Sequence, residues 1–94
     1  MYQRVITPSA KRSLHRLPRD VQEALLQVSR TLETRPFTGE RLHGSLSFLF
    51  SLHFSCAGIQ YRCVYAVDDT AYRVIIYLVG PRENFYDRVR RLFR

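Results

Sequence analysis

The stretch Gln60–Tyr86, QYRCVYAVDDTAYRVIIYLVGPRENFY, decides the fold of this chain. It contains two runs, Tyr61–Val67 and Tyr72–Val79, in which Tyr, Val, Ile and Cys predominate. These residue types favour a pleated and packed strand. The two aspartates of Asp68-Asp69-Thr70-Ala71, which separates the runs, are typical of a turn. The stretch therefore predicts a β-hairpin, whose second strand ends at Gly80-Pro81.

A further strand is predicted at Leu46–Ser55, where the sequence LSFLFSLHFS alternates with period two. One face carries Leu46, Phe48, Phe50, Leu52 and Phe54. The other face carries Ser47, Leu49, Ser51, His53 and Ser55. Period two in a strand predicts that the first set packs against helices and that the second lies on an open, polar face.

Ala57-Gly58 is a candidate turn between this strand and the hairpin. If the turn has two residues, His53 lies directly opposite Arg62 on the neighbouring strand, and Leu52 lies opposite Cys63. His53 and Arg62 then point to the same side of the sheet, away from the helices.

The remaining segments complete an α+β order, β-α-α-β-β-β-α, in one small domain over residues 1–94. A short strand is expected at Tyr2–Ile6, followed by a helix that starts at Thr7-Pro8-Ser9. Pro18 breaks that helix and opens a second one, which reaches about Thr34. A terminal helix is expected over Glu83–Phe93. We expect about four mostly antiparallel strands, the helical hairpin on one face and an open basic face behind.

The charge is strongly basic, with 15 Lys plus Arg against 8 Asp plus Glu and a formal net charge of +7. All of these cations except Lys11 are arginines, whose planar guanidinium suits phosphate or carboxylate. Nucleic acid and an acidic protein are the expected partner classes, and a generally basic soluble protein is the simpler alternative.

The N-terminal residues contain no apolar signal region, and no apolar run approaches the ~20 residues that cross a bilayer. A cytoplasmic protein with no membrane contact is therefore expected. Cys56 and Cys63 have no metal-ligand spacing, so we expect a buried packing role for Cys63 and an exposed loop thiol for Cys56. No cofactor and no metal are predicted.

Two motifs, YRCVYAVDD at Tyr61–Asp69 and VGPRENFY at Val79–Tyr86, carry a resemblance to a known family. Together with VITPSAKRSLHRLP and RLHG upstream, they resemble the RelE/ParE superfamily, the toxins of bacterial type II toxin–antitoxin pairs, over nearly the full chain. RelE-like members are endoribonucleases (mRNA interferases) that cut mRNA, usually on the ribosome. ParE-like members bind DNA gyrase and have no known nuclease chemistry.

The resemblance to RelE-like enzymes implies a site made of Arg62, Arg82 and Tyr86. The two arginines would hold the scissile phosphate, and the tyrosine would stack on a base or donate a proton. RelE-like enzymes also carry two lysines on the second strand, and this chain has Ser51 and His53 there. His53, with an ordinary pKa of about 6.5, is then the candidate general base.

Metal-independent cleavage by the 2′-hydroxyl, with a 2′,3′-cyclic phosphate product, is the chemistry that these side chains suit. Candidate RNA contacts besides these are Ser51, Arg41, Arg88 and Arg91. Implied partners are a cognate antitoxin, mRNA and the ribosome with its rRNA, and operator DNA reached through the antitoxin.

Simpler interpretations remain open for each residue. His53 could be only solvated, Arg62 could pair with Asp68 or Glu83, and Tyr86 could belong to the apolar stripe of its helix. The alternative function is a ParE-like gyrase inhibitor or a catalytically weakened member, because the lysine pair is absent.

Overall fold

The helices and strands of the computed structural model, which describes residues 1–94, follow the predicted order with one addition. They are β1 (Gln3–Ile6), α1 (Pro8–His15), α2 (Arg19–Arg30), β2 (Glu40–Arg41), β3 (Leu49–Cys56), β4 (Ile59–Asp68), β5 (Arg73–Pro81) and α3 (Phe85–Leu92). Single 3₁₀ turns lie at Thr31–Glu33 and Gly44–Leu46. The added element is β2, which is too short to leave a periodic pattern in the sequence.

The five strands form one sheet in the order β1-β5-β4-β3-β2. β1 pairs with β5 in parallel, and the other neighbours are antiparallel. The α+β class and the mostly antiparallel sheet are confirmed, with five strands where about four were expected. None of the helices is both long enough and apolar enough to cross a membrane.

The β3–β4 turn consists of Ala57-Gly58, with φ values of 51° and 79°. A two-residue turn with both φ angles positive matches the twist of a hairpin, and glycine adopts the second position without steric cost. This turn sets the predicted register, with His53 opposite Arg62 and Leu52 opposite Cys63. The cross-strand placement of His53 and Arg62 is thus confirmed.

The helical hairpin of α1 and α2 packs on one face of the sheet, as predicted. Thr7 caps α1 by accepting a hydrogen bond from the backbone N–H of Ala10 at 3.2 Å. Both helices bury apolar stripes against β3, β4 and β5. The fully or nearly buried members of this core include Leu14, Val21, Leu25, Phe50, Leu52, Phe54, Cys63, Tyr65 and Ile76.

β3 begins three residues later than the alternating pattern predicts. Leu46 belongs to the 3₁₀ turn Gly44–Leu46, and Phe48 is 49% exposed. The Phe48 ring contacts Phe93, with the ring centroids 5.4 Å apart. The turn interrupts the pleat, so these two side chains do not join the face that carries Phe50.

α3 packs on the face that was expected to be open. Its apolar side chains Phe85 and Val89 are fully buried against Leu49, Val64 and Leu78. These strand residues are apolar on a face predicted to be polar, and they bury the stripe of an amphipathic helix. Only the end of this face that carries His53 and Arg62 remains open.

β5 runs through Pro81, which lies opposite Tyr61, so the strand ends at Gly80-Pro81 as predicted. Proline lacks a backbone N–H, which is tolerated at the last position of a strand. Cys63 is buried as expected, and burial raises the pKa of its thiol to about 12. Cys56 is not a loop thiol, because it is the half-buried last residue of β3.

Candidate active site

Arg62 and His53 face each other across β3 and β4 and are joined by a side-chain hydrogen bond. Nη1 of Arg62 donates to Nε2 of His53. A guanidinium has no acceptor, so the imidazole nitrogen must accept, and the ring proton then lies on Nδ1. The hydrogen bond therefore requires the neutral form of His53.

The pKa of His53 is lowered below its ordinary value for two reasons. Partial burial disfavours the charged imidazolium, and the positive charge of Arg62 acts in the same direction. The carboxylate of Glu40 opposes both effects. Because the lowering effects dominate, His53 is neutral at pH 7 and is able to accept a proton.

Glu40 comes close to His53 because β2 pairs with β3. Glu40 lies opposite Ser51, two residues from His53 on β3, and so on the same side of the sheet. This carboxylate is not among the predicted site residues, because no strand is predicted between the second helix and Leu46. The sequence offers one indication of its role, since Glu40 is the single acidic residue directly before the RLHG segment.

Arg62 has no carboxylate partner. Its pairing with Asp68 or Glu83, one of the simpler interpretations, is wrong, because neither lies within ion-pair distance of the guanidinium. Its Nε is buried with no hydrogen-bond partner, and its Cζ lies 5.6 Å from the centroid of the Tyr86 ring. The guanidinium therefore keeps an uncompensated charge. The two ion pairs of the chain are Arg4–Glu33 and Arg90–Asp87.

Tyr86 lies in the first turn of α3 and is half-buried. Its neighbour Phe85 is the residue that anchors this turn in the core, with the two ring centroids 5.9 Å apart. Tyr86 also lines a cleft of about 340 Å³ between β2 and α3. The ring is thus accessible from this cleft while Arg62 lies over it. The other residues that line the cleft are Glu40, Arg41, Leu42, His43, Leu46 and Arg90.

Arg82 is exposed and follows directly after β5. Its backbone N–H donates to the carbonyl of Gln60 at 3.1 Å, which continues the β4–β5 pairing by one step. It is two residues beyond Gly80, the partner of Arg62, and this corresponds to about 7 Å along a strand. Arg82 is therefore a second free cation near the His53–Arg62 pair and not part of that contact.

Arg88 approaches the same place from α3. A Cβ at Gly80 would overlap with Nη1 of Arg88, so the guanidinium fills the space above this glycine. The pKa of Arg88 is lowered, first by burial and then by the charges of Arg16 and Arg91. Gly80 was interpreted from the sequence only as the end of a strand, and no sequence signal links it to Arg88.

One of the predicted RNA contacts, Ser51, is not on the open surface. Ser51 is only 1% exposed, and its Oγ has no hydrogen-bond partner, because this part of the face is closed. The guanidinium of Arg41 lies 4.7 Å from the centroid of Phe50 and donates to the carbonyl of Ser47 at 2.7 Å. Arg41 is nevertheless exposed and lines the same cleft as Tyr86. Arg91 is exposed on α3.

The arrangement combines three chemical abilities at one end of the sheet. His53 is a neutral base, Arg62 and Arg88 are cations without carboxylate partners, and Tyr86 is an aromatic surface beside them. A proton acceptor next to unpaired guanidinium groups suits the binding and attack of a phosphodiester.

The chain is similar to known proteins along nearly its whole length. Residues 5–90 match the sequence model of the ParE-like toxins of type II bacterial toxin-antitoxin systems. A chain in the crystal structure of the RelBE2 toxin-antitoxin complex from Mycobacterium tuberculosis is 31% identical, with a TM-score of 0.73, and the alignment covers 86% of this chain and 98% of that one. Among curated protein sequences, none matches at a significant level.

Two structures from E. coli share the fold at lower identity. The isolated RelE toxin is 21% identical with a TM-score of 0.70, over 98% of this chain and 99% of that chain. A chain of the intact RelBE toxin-antitoxin complex is 22% identical with a TM-score of 0.72, over 88% of this chain and 99% of that chain. The family match covers nearly the whole sequence, and the fold agrees with it: this protein belongs to the RelE/ParE toxins of type II toxin-antitoxin systems.

Proposed function

We propose that the protein is a metal-independent endoribonuclease that cleaves mRNA, on the ribosome, and that a cognate antitoxin neutralises it. The observation that carries this proposal is the neutral imidazole of His53 held against Arg62, an arginine with no carboxylate partner. A gyrase-binding surface has no need of a positioned proton acceptor. A ribonuclease needs both a base and a cation at the scissile phosphate.

Substrate binding starts with Arg62. A phosphate carries two oxygens that a guanidinium can hold with two parallel hydrogen bonds, which are stronger than its single bond to a neutral imidazole. When Arg62 turns to the phosphate, Nε2 of His53 loses its donor and becomes free to accept a proton. The phosphate thus switches the base from its resting hydrogen bond to its reactive state.

Cleavage then follows from the positions of these groups. Nε2 of His53 takes the proton of the ribose 2′-hydroxyl, the 2′-oxygen forms a bond to phosphorus, and the bond from phosphorus to the 5′-oxygen breaks. Arg62 stabilises the negative charge of the phosphorane as it develops. The 5′-oxygen leaves with a proton from the Tyr86 hydroxyl or from water. The products are a 2′,3′-cyclic phosphate and a free 5′-hydroxyl.

Tyr86 and Arg82 position the RNA on either side of this centre. The Tyr86 ring is open to a cleft of about 340 Å³, which gives a base room to stack on it. Arg82 is exposed two residues beyond the row of Arg62, where it can hold the phosphate backbone. Arg91, exposed on α3, is suited to further phosphate contacts with mRNA or rRNA.

Binding of an acidic antitoxin is supported by the family and by the charge of the chain. The similar M. tuberculosis chain belongs to a toxin-antitoxin complex, and this chain carries a net charge of +7 with its active-site arginines unpaired. An acidic antitoxin that covers these arginines would block the phosphate site. The complex would act in the cytoplasm and would reach its own operator DNA through the antitoxin.

Inhibition of DNA gyrase is the second candidate function, and specific observations favour it. The matching family model is that of ParE-like toxins. In addition, Ser51 is buried, so one of the two positions that RelE-like enzymes fill with lysine is closed. In this alternative the arginines of α3 and the sheet end would bind an acidic surface of the enzyme rather than RNA.

One experiment separates the two candidates. The wild type and the double variant Arg62→Ala/Arg82→Ala are expressed in a bacterial host, and mRNA 5′ ends and chromosomal DNA integrity are measured together. The nuclease proposal expects new 5′ ends inside translated codons that the double variant does not produce. Growth arrest with intact mRNA and broken or relaxed DNA would overturn it in favour of gyrase inhibition.

A further inference from the structure

At the end of the sheet, a glycine lies next to two basic side chains. His53, Arg62 and Gly80 lie side by side on β3, β4 and β5, and we call these three positions the central row. Neighbouring strands are about 4.8 Å apart, so each position lies next to the one before it. The first two positions carry basic groups, and the third has no side chain of its own.

The guanidinium of Arg88 fills the third position. It comes from α3, one helical turn after Asn84, and its Nη1 occupies the space that a Cβ of Gly80 would need. The central row therefore presents a third basic group, although β5 has only a glycine at that position. The glycine is what allows it, because any larger residue would occupy the same space.

The position of the Arg88 guanidinium is electrostatically unfavourable when no anion is bound. Arg88 is partly buried, and the charges of Arg16 and Arg91 act on it, so its charged form is destabilised. No carboxylate lies within ion-pair distance of Arg16, Arg88 or Arg91. A bound anion would compensate these cations, which come from α3 and from the residue that follows α1, and a phosphate offers the oxygens that guanidinium groups prefer.

We propose that Arg88, held over Gly80, binds the RNA phosphate next to the one that Arg62 holds, so that the central row grips two consecutive phosphates. This inference rests on the proposed function for its choice of RNA. It adds Arg88 to the RNA-binding residues. It also explains why a glycine is needed at position 80, since a side chain there would displace the Arg88 guanidinium.

The first test measures binding apart from cleavage. A short single-stranded RNA with methylated 2′-hydroxyls cannot be cut by 2′-hydroxyl attack, and its affinity is measured over a range of salt concentrations. Arg88→Gln is expected to weaken binding by roughly tenfold to a hundredfold, as for the loss of a charged hydrogen bond. It should also reduce the log–log salt slope by about 0.7, as for one lost phosphate contact on a single strand. Arg12→Gln, an equal charge change on the exposed side of α1, is the control and should leave the slope unchanged.

The second test uses Gly80. Gly80→Ala should displace the flexible end of Arg88 without unfolding the chain, since the two closest contacts of the added methyl group are with this guanidinium and the third is an ordinary 3.6 Å from Phe85. Its effect on RNA affinity is expected to match that of Arg88→Gln. In the double variant the two effects should not add, because both remove the same contact. If Gly80→Ala acted on Arg62 or blocked the RNA directly, the effects would add.

The outcomes distinguish this inference from the proposed function. Wild type that binds the methylated RNA but cuts natural mRNA neither alone nor on ribosomes would overturn the nuclease proposal, and the salt slopes would still decide the role of Arg88. Wild type that cuts RNA while Arg88→Gln matches Arg12→Gln in affinity and slope would overturn only the role of Arg88. Absence of binding by the wild type would overturn both.

Discussion

Arg62 donates a hydrogen bond to Nε2 of His53 from the directly opposite position on the neighbouring strand. The hydrogen bond requires the neutral imidazole, and the charge of Arg62 adds to burial, the larger cause, in lowering the pKa of His53. In the proposed mechanism the two residues form a unit, in which Arg62 occupies Nε2 of His53 until a phosphate binds the guanidinium.

The pH dependence of cleavage is expected to report His53. Below its pKa the imidazole is protonated and cannot accept the 2′-hydroxyl proton, so activity falls as the pH falls. Because burial and Arg62 lower this pKa, the acidic limb of kcat/KM should have its midpoint below the ordinary value of about 6.5. kcat/KM is the appropriate quantity, since it reports the free enzyme, before the negative charge of a bound phosphodiester raises the pKa of the base.

His53→Gln should remove that limb and reduce cleavage by about 10²–10⁴-fold, the usual contribution of a general base. His15→Gln, on the exposed side of α1, is the matched control and should behave as the wild type. An acidic limb that survives unchanged in His53→Gln would assign the base to another group, and Glu40, the carboxylate that acts on the pKa of His53, would be the first candidate.

Arg62→Lys and Arg62→Gln are expected to differ from each other in cleavage of the same RNA. Lysine keeps the charge but cannot hold two phosphate oxygens at once, so it should retain part of the activity. Glutamine loses the charge and should reduce kcat by about 10²–10³-fold, as for the loss of one donor to a developing negative charge. Equal activity of the lysine and wild-type proteins would contradict a two-bond grip on the phosphate.

Tyr86 is expected to act mainly through its ring. Tyr86→Phe keeps the surface that faces the 340 Å³ cleft, whereas Tyr86→Ala removes it. RNA binding should therefore weaken by about 1–3 kcal/mol in the alanine variant and little in the phenylalanine variant. A large loss of kcat in Tyr86→Phe, with binding unchanged, would instead show that the hydroxyl protonates the leaving oxygen. Tyr72→Phe, at an exposed position in the turn just before β5, serves as the control.

The placement of β2 should depend on Tyr65. The Tyr65 hydroxyl accepts a hydrogen bond from the backbone N–H of Gly39 at 2.9 Å, directly before Glu40. Tyr65→Phe leaves this N–H without its partner, which is expected to lower the free energy of unfolding by about 1–3 kcal/mol. Urea unfolding measures this change. A midpoint equal to that of the wild type would mean that water replaces the hydroxyl and that β2 is held by its pairing with β3.

The sequence predicted the parts of the fold that have strong local patterns. The two-residue turn Ala57-Gly58 fixes a register, and a register in turn fixes which side chains lie opposite each other. That is why the pairing of His53 with Arg62 could be predicted from the amino-acid order alone. The helix break at Pro18 was equally predictable, because proline has no N–H and fits only the start of the next helix.

The features that the sequence did not reveal depend on packing between distant segments. β2 is two residues long, so Glu40 reaches His53 only through its pairing with β3. The position of α3 depends on Leu49 and its apolar neighbours on the second face, and it closes the surface over Ser51. The contact of Arg88 with Gly80 depends on the same placement of α3, and no periodicity in the sequence encodes it.

The chemistry at the new RNA ends tests the role of the His53–Arg62 pair most directly. A defined mRNA is incubated with wild-type protein, His53→Gln and His15→Gln, with and without ribosomes, and the ends of the fragments are identified by mass. Attack by the 2′-hydroxyl predicts a 2′,3′-cyclic phosphate and a 5′-hydroxyl in the wild type and in His15→Gln, and almost none in His53→Gln. Fragments with 3′-hydroxyl ends, equal cleavage by His53→Gln, or intact RNA in every reaction would contradict it.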